Sequence, residues 1–244
     1  RFGRAPALVK GHSKCNNFGI FAATHLEMQN SATEENYLKA IYKFSPNGEM
    51  VGTNTLAKAL QTTPASVTDM LKRLNEKLLV EYQPYHGVRL LDPGRIIALK
   101  IIRKHRLWEV FLVKTLNFTW DEVHETAEEL EHVNSTLLID KLDQFLGFPQ
   151  FDPHGDPIPN KDGQFTERAT RQLSTCKAGE IAIVAGVTED TPVFLQYLDR
   201  ISIHIGSHIH VHDVIPFDNS LILRLGGREV VLSGEFARQI LVIE

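Results

Sequence analysis

The sequence predicts an α+β multidomain protein: a winged helix-turn-helix, a helical dimerisation domain and a small all-β barrel at the C-terminal end. Three observations carry this prediction. Capped amphipathic segments and a hairpin-like pair of strands occupy residues 31–91, helical periodicity continues to residue 145, and β-rich runs punctuated by glycine fill residues 175–244. A chain of 244 residues can hold one to three such domains.

The composition points to a globular protein of a reducing compartment. The chain is 43% hydrophobic and 23% charged, which is ordinary for a soluble domain, and no apolar run approaches the length of a membrane span. The two cysteines, Cys15 and Cys176, are far apart and belong to no pairing motif. We therefore expect a cytoplasmic protein without disulfides or a membrane partner.

The predicted domain boundaries follow changes in pattern along the chain. Residues 1–27 contain four basic residues and one acid without sustained periodicity, so we interpret them as an extension, disordered or of artificial origin, outside the folded domains. The remaining predicted parts are the winged helix (28–92), the helical metal-binding and dimerisation domain (93–150), a linker (151–174) and the barrel (175–244).

Helix-capping residues mark the elements of the first domain. Ser31 precedes Glu34 at capping-box spacing and opens a helix that ends before a turn at residues 45–48. Thr53 is the predicted cap of a short helix over residues 54–60. Thr62 or Thr63 caps the next one, over residues 64–74, which has proline at its first position. Residues 78–91 then read as two strands joined by a turn, which is the wing.

The second helix of this pair leaves small polar residues on its outer face, as a helix entering a DNA major groove requires. The predicted DNA-facing residues are Thr63, Ala65, Ser66, Thr68 and Asp69, with Lys72 and Arg73 near phosphates and Tyr85 and Arg89 on the wing. The alternative is a small helical core with no role in DNA binding. The wing and the order of the elements favour the DNA-binding interpretation.

The charge of the chain changes sign between the first two domains. Residues 61–106 have nine Lys and Arg against four Asp and Glu, whereas residues 107–140 have one against eight. A basic segment followed by an acidic one is expected where a DNA-binding domain precedes a cation-binding domain. Two solvated helix faces of different charge would give the same pattern.

Ligand-type side chains recur at helical spacing in the acidic segment. We predict one helix over residues 120–145, which places Glu128, Glu131 and His132 at i, i+3 and i+4, with His124 one turn earlier. Carboxylates and imidazoles that converge suit a divalent first-row metal. A second pair, His105 and Glu109, lies at i and i+4 on the preceding long helix, predicted from residue 94 to about residue 116. The alternative, a solvated acidic face, is the interpretation we adopt for Glu125 and Glu129.

The last third of the chain reads as β structure after a Pro/Gly-rich segment at residues 152–163, a linker or an ordered turn in which His154 is interpreted as structural. Predicted strands cover residues 180–185, 201–205, 208–214, 220–225 and 229–232, and short helical segments cover residues 192–198 and 233–240. The histidines at positions 204, 208, 210 and 212 are interpreted as structural residues rather than metal ligands.

Six short stretches in order give the chain a resemblance to a known family. They cover residues 33–42, 64–70, 103–107, 123–127, 131–132 and 153–159. Over residues 32–244 the chain resembles the diphtheria-toxin-repressor family of iron- and manganese-dependent regulators. The resemblance implies a homodimer that binds palindromic operator DNA when loaded with metal and represses genes of metal homeostasis.

The resemblance also implies two metal sites. The primary site would use Asn36, Glu128, Glu131 and His132. The ancillary site would use His105, Glu109 and His124, with Asp190 or Glu189 as the nearest match to a ligand that the barrel adds in some members.

Three positions bear on the metal. Asn36 stands where the family usually has Met or Asp and is a weaker, neutral donor. Glu128 stands where iron-type members have Cys, which favours a harder ion. Lys39 stands one turn after Asn36, where some manganese sensors have a Glu, and argues against a closely paired second ion. The expected cofactor is therefore Mn²⁺, with Fe²⁺ as the alternative.

The function expected from the sequence is that of a metal-dependent transcriptional repressor that is not an enzyme. One alternative is a metal-binding enzyme or storage protein that does not bind an operator, although the sequence has no nucleophile motif or glycine-rich phosphate loop. The other alternative, motivated by Asn36, is a family regulator that has lost metal control.

Overall fold

The structure, a computed structural model, describes residues 30–45 and 48–244. The predicted extension at residues 1–27 lies outside the described residues, and so do Pro46 and Asn47 of the turn predicted after the first helix. All helices and strands below belong to one compact unit, Ser31–Glu244.

The N-terminal elements form a winged helix, as predicted. They are α1 (Ala32–Phe44), α2 (Thr53–Ala59), α3 (Pro64–Glu76), β1 (Val80–Gln83) and β2 (Gly87–Leu90). The capping box of Ser31 and Glu34 is present, and Thr63, not Thr62, caps α3. The predicted cap Thr53 is wrong: Thr53 is the first helical residue, and Gly52 takes the cap position without a side-chain bond.

A shared core fixes α3 against α1 and the wing. Leu38, Leu71 and Leu74 are fully buried in this core, each contributing about 1.5–3 kcal/mol through burial. Antiparallel strands β1 and β2 form the wing, and an isolated bridge joins Val51 to Val88 at its base. The polar outer face of α3 is therefore held rigidly beside the hairpin.

Gly87 is required at the base of the wing. Its φ is +116°, and a Cβ there would lie 2.4 Å from the carbonyl oxygen of Val51. We expect Gly87→Ala to destabilise the protein by roughly 1–3 kcal/mol or more, because the backbone strain adds to the clash. Urea unfolding measures the loss, with Gly48→Ala as the control, since Gly48 also has positive φ but open space around it. Equal effects in the two variants would contradict the close-approach argument.

The helical part differs from its prediction in two respects. It consists of α4 (Asp92–Leu116), α5 (Val123–Leu130) and α6 (Thr136–Phe145). The predicted single helix over residues 120–145 is wrong, because Ser135 accepts a hydrogen bond from Leu138 N and starts a new helix. Thr119, the residue that the sequence suggests as the cap of that predicted helix, does not cap α5, whose cap position is Glu122. Glu131 and His132 consequently lie at and just beyond the C-terminal end of α5.

The segment after α6 is packed onto α4 by arginines. Arg103 donates to Pro159 O at 2.7 Å and to Asp143 at 2.6 Å. Arg106 donates to Pro157 O at 2.5 Å and to Asp156 at 2.7 Å. Of the two interpretations of this Pro/Gly-rich segment, the ordered turn is the one that the contacts support.

The C-terminal part is an antiparallel six-stranded sheet in the order β3-β8-β4-β5-β6-β7. Its elements are β3 (Arg171–Gln172), β4 (Ile181–Val187), α7 (Pro192–Arg200), β5 (His208–Ile215), β6 (Ser220–Leu225), β7 (Arg228–Leu232), α8 (Gly234–Arg238) and β8 (Ile240–Ile243). The predicted all-β domain is confirmed. The predicted strand at residues 201–205 is wrong, because Ser202, with φ +60°, turns the chain after α7.

Among the described helices, none is both long enough and apolar enough to cross a bilayer.

Candidate metal centre and DNA-binding face

Three of the predicted ligands converge between α4 and α5. The His105, Glu109 and His124 side chains each offer a ligand atom within 4.8 Å of the others. His105 Nε2 lies 3.0 Å from Glu109 Oε1 and 3.2 Å from His124 Nδ1. The i, i+4 spacing on α4 and the position of His124 in the first turn of α5 produce this convergence. The geometry is that of an open-sided cation site, with His124 on the solvent side.

Glu109 also belongs to a second group, which the sequence alone did not reveal. Asp152 and His154 converge with Glu109 within the same 4.8 Å limit, and all three are buried. His154 Nε2 bonds to Trp120 O at 2.8 Å, which turns Nδ1 toward Glu109, 3.9 Å away. Asp152 and His154 are two positions apart in the sequence, but only the fold places their side chains beside Glu109 of α4. Neither converging group of the described residues includes Glu189 or Asp190.

Glu131 connects the predicted primary and ancillary sites. It is fully buried, and its Oε2 lies 2.7 Å from His105 Nδ1. Its two oxygens also lie 2.7 and 2.8 Å from Lys39 Nζ, which lies 3.5 Å from Glu128 Oε1. A lysine of α1 therefore occupies the space between two of the predicted ligands.

The other predicted primary ligands do not converge in the structure. His132 Nδ1 lies 2.6 Å from Glu35 Oε2, whereas His132 Nε2 lies 3.7 Å from Glu131 Oε1. Glu35 is buried on α1 next to Asn36 and was not among the predicted site residues. One feature of the sequence indicated a role for Glu35, which is that it directly precedes the predicted ligand Asn36. Glu128, Glu131 and His132 thus lie near α1, which carries Asn36, but these three side chains do not meet at one point.

The barrel packs against the loop before α5. Trp120 Nε1 donates to Asp199 at 3.1 Å, and Gln196 donates to Asp121 at 2.8 Å. The Trp120 ring stacks on His154 with an interplanar angle of 7°. Through Trp120 the barrel therefore supports the Asp152–His154 side of the second group.

On the barrel itself, His204 pairs with Asp199 at 3.1 Å, and His208, His210 and His212 join neither converging group of the described residues.

The predicted DNA-facing residues line an open side of the winged helix. On α3, Ala65, Ser66, Asp69, Lys72 and Arg73 are exposed, as is the cap residue Thr63. Thr63 Oγ1 accepts from Ser66 N, and Thr68 Oγ1 donates to Pro64 O at 2.9 Å. Both hydroxyls therefore have local partners, and each keeps a lone pair that can accept a hydrogen bond from the amino group of a base.

A cleft of about 490 Å³ separates α3 from the wing. It is lined by Gly52, Thr53, Asn54, Thr68, Lys72, Tyr82, Pro84, Tyr85 and Gly87. Tyr85 stands fully exposed at the wing tip with φ +66°. Arg89 is paired across the hairpin with Glu81 at 2.6 Å, so its charge is partly neutralised. Asn54 also lines this cleft, although it was not among the predicted DNA contacts.

Three family models match successive parts of the chain. They are "Iron dependent repressor, N-terminal DNA binding domain" over residues 30–88, "Iron dependent repressor, metal binding and dimerisation domain" over residues 92–160, and "FeoA domain" over residues 171–244.

Individual proteins agree with these matches. An uncharacterized HTH-type transcriptional regulator of Methanocaldococcus jannaschii is 37% identical over 48% of this chain and 94% of its own length. The diphtheria toxin repressor of Corynebacterium diphtheriae is 26% identical over 87% of this chain and 97% of its own. A solved manganese-dependent transcriptional repressor in complex with manganese is 37% identical, with a TM-score of 0.77, and the match covers 86% of this chain and 99% of that one.

The chain belongs to the diphtheria-toxin-repressor family. Members of this family are metal-dependent, DNA-binding transcriptional repressors rather than enzymes. This confirms the family, the fold class and the non-enzymatic function predicted from the sequence.

The chemistry of the buried acceptors between α1 and α5 is compatible with a cation in this family member. Asn36 Oδ1 is buried without a hydrogen-bond partner. Glu131 is fully buried as well, and its carboxylate already faces one positive charge, the ammonium of Lys39 2.7 Å from Oε1. A buried acceptor without a partner, such as Asn36 Oδ1, costs about 1–3 kcal/mol, and a metal ion between α1 and α5 would offset this cost.

The charges around Glu109 hold the candidate ligands of this family member in a tightly paired arrangement. Hydrogen bonds to Glu109 and Glu128 raise the pKa of His124 to about 10. The hydrogen bond from His124 lowers the pKa of Glu128 to about 2. Burial opposes ionisation of Glu109, but His105 and His124 still hold its pKa below the ordinary value. Burial raises the pKa of Asp152 to about 7.

This pairing predicts that metal and protons compete at His124. Because the pKa of His124 is raised to about 10, the imidazole carries a proton at neutral pH and must lose it to bind a metal. Burial opposes protonation of His105, but its bonds to Glu109 and Glu131 still raise its pKa. We therefore expect the affinity for Mn²⁺ at this site to rise at least about tenfold per pH unit between about pH 6 and 8. Calorimetry in buffers of different ionisation enthalpy measures the protons released. His124→Gln should release about one proton fewer per chain; equal release would contradict the assignment.

Proposed function

We propose that this chain is a Mn²⁺-activated repressor that binds a palindromic operator as a homodimer and controls genes of metal homeostasis. The observation that carries the proposal is the convergence of His105, Glu109 and His124, with Glu131 bonded to His105, beside a winged helix. The proposed location is the cytoplasm.

The donor set supports manganese over softer ions. The converging groups consist of carboxylates and imidazoles, and Glu128 is a carboxylate beside them. The buried free thiol of Cys176 belongs instead to the core of the barrel. Oxygen and nitrogen donors suit Mn²⁺, although they also accept Fe²⁺. The solved relative carrying manganese supports the same choice.

Two sites divide the proposed ligands. In the primary site, Asn36, Glu128, Glu131 and His132 would hold an ion that joins α1 to the end of α5. In the ancillary site, His105, Glu109 and His124 would hold a second ion. Asp152 and His154 are further candidate ligands there, because both converge with Glu109, and His154 Nδ1 faces Oε2 of Glu109 whereas His105 contacts Oε1. A bound ion supplies positive charge that draws these donors together.

The primary site couples metal to DNA because it spans two parts of the fold. Asn36 belongs to α1, which packs in the winged-helix core, and Glu131 ends α5 of the helical part. An ion between them would fix the orientation of the winged helix on the helical part. In a dimer, this fixes the distance between two copies of α3, which must lie about one DNA turn apart to read two half-sites.

An exposed apolar face provides the proposed dimer contact. Leu137, Leu138 and Phe145 of α6 and Phe148 just after it are 70%, 43%, 67% and 64% exposed. Large apolar side chains grouped on one surface mark a protein interface more often than a free surface. A two-fold contact through this face would present a pair of winged helices to one duplex.

DNA selection tests the proposed function. A library of random duplexes is incubated with the purified chain in excess Mn²⁺, and the retained DNA is sequenced. We expect recovery of a motif with two-fold symmetry, and loss of retention when EDTA replaces Mn²⁺. The same selection in Fe²⁺ under anaerobic conditions compares the two metals. Recovery of no symmetric motif under any of these conditions would contradict the proposal.

A further inference from the structure

Lys39 has an unusual position for a lysine. Its ammonium group lies 2.7 and 2.8 Å from the two oxygens of Glu131 and 3.5 Å from Glu128 Oε1. Only 21% of its side chain is exposed, and Glu131 is fully buried. Lysines are rarely buried unless they are paired, so this pairing determines where the side chain lies.

Lys39 approaches the same space as Asn36. The two residues are three positions apart on α1 and project from one face of the helix. The buried amide oxygen of Asn36 has no hydrogen-bond partner, and the ammonium of Lys39 contacts two carboxylates proposed as ligands. The positive charge of Lys39 is therefore present where the proposed function requires a metal ion.

We propose that Lys39 is a built-in cationic competitor for the primary metal site, which weakens metal binding there and limits the site to one ion. This inference rests on the proposed function, because it concerns the same site. Lys39 also joins α1 to the end of α5, as the metal would. Its ammonium group consequently retains part of the coupling between the winged helix and the helical part when metal is scarce.

Electrostatics gives the direction and size of the effect. A monovalent ammonium within a few ångströms of a divalent ion repels it, and the energy is several-fold larger in a partly buried site than in water. To admit the metal, Lys39 must leave Glu131 and extend into solvent, which its long flexible side chain allows. Neutralising position 39 should therefore strengthen metal binding tenfold or more.

Four variants separate this role from a general effect of charge. Lys39→Met and Lys39→Gln remove the charge with little change in length, and Lys39→Arg keeps it. Lys43→Met is the matched control, because Lys43 lies one turn further along α1 and is exposed. Thermal unfolding in EDTA establishes that each variant is folded. Lys39→Gln, which keeps a hydrogen-bond donor for Glu131, serves if Lys39→Met unfolds.

Two measurements on the full chain carry the test. Calorimetric titration with Mn²⁺ gives the Kd and the number of ions bound, and fluorescence anisotropy in EDTA gives the affinity for the selected operator duplex. We expect both neutral variants to lower the Kd for the primary ion at least tenfold and to weaken metal-free operator binding several-fold. Lys39→Arg and Lys43→Met should stay within a factor of about three of the unsubstituted chain.

The outcomes distinguish this inference from the proposed function. If the unsubstituted chain binds Mn²⁺ and the neutral variants bind it equally or more weakly, Lys39 is not a competitor and the inference is overturned while the proposed function stands. Binding by the neutral variants but not by the unsubstituted chain would support the inference. If none of the proteins binds Mn²⁺, both the inference and the proposed metal site are overturned.

Discussion

Glu131→Gln should remove most of the Mn²⁺ stimulation of operator binding, which we expect to be about 5–150-fold in the unsubstituted chain. Glu131 is fully buried, contacts both His105 and Lys39, and is a ligand of the proposed primary site. The amide keeps the shape of the carboxylate but loses the negative charge that holds a cation. Anisotropy titrations of a labelled operator in Mn²⁺ and in EDTA measure the effect.

The control for this prediction is Glu129→Gln. Glu129 lies on the same turn of α5 but is exposed, and we interpret it as part of a solvated face. The same charge change there should leave the Mn²⁺ response within about twofold. A Glu131→Gln protein that is folded, dimeric and still fully stimulated by Mn²⁺ would remove Glu131 from the metal-coupling site.

Glu109→Gln should eliminate the ancillary ion and its contribution to thermal stability. Glu109 is 2% exposed, and His105, His124 and His154 all lie within 3.9 Å of its carboxylate. An ion present at a hundred times its Kd stabilises a fold by about 2.7 kcal/mol. Glutamine offers one neutral oxygen in place of the shared carboxylate, so most of this stabilisation should be lost.

Scanning calorimetry in excess Mn²⁺ and in EDTA provides the measurement, and titration counts the ions. We expect the variant to bind one ion fewer per chain and to show a smaller Mn²⁺-induced rise in Tm. Glu122→Gln, an exposed position at the start of α5, should behave like the unsubstituted chain. An unchanged ion count in Glu109→Gln would show that the converging residues are a structural network rather than a metal site.

Much of the fold could be predicted from interactions between residues that are close in the sequence. Ser31 with Glu34 and Thr63 with Pro64 determined where α1 and α3 begin, because caps act within one turn. The i, i+4 spacing of His105 and Glu109 likewise placed both side chains on one face of α4. These features depend on residues close in sequence, and the structure reproduces them.

Other features depend on tertiary contacts that the sequence does not display. Helical periodicity suggested one helix through residues 131–135, whereas Ser135 begins a new one and leaves Glu131 at an end. Asp152 and His154 reach Glu109 only because Arg106 and Trp120 hold the segment after α6 in place. The approach of Lys39 to Glu131 joins residues 92 positions apart, which no local pattern indicates.

The central claim is that a divalent ion between α1 and α5 controls operator affinity. The most direct test measures the Kd of the purified chain for one selected palindromic duplex by anisotropy, first in excess Mn²⁺ and then in EDTA at the same ionic strength. A tighter Kd in Mn²⁺, within about 5–150-fold, is the predicted result. Equal Kd values in Mn²⁺, Fe²⁺ and EDTA would contradict the claim.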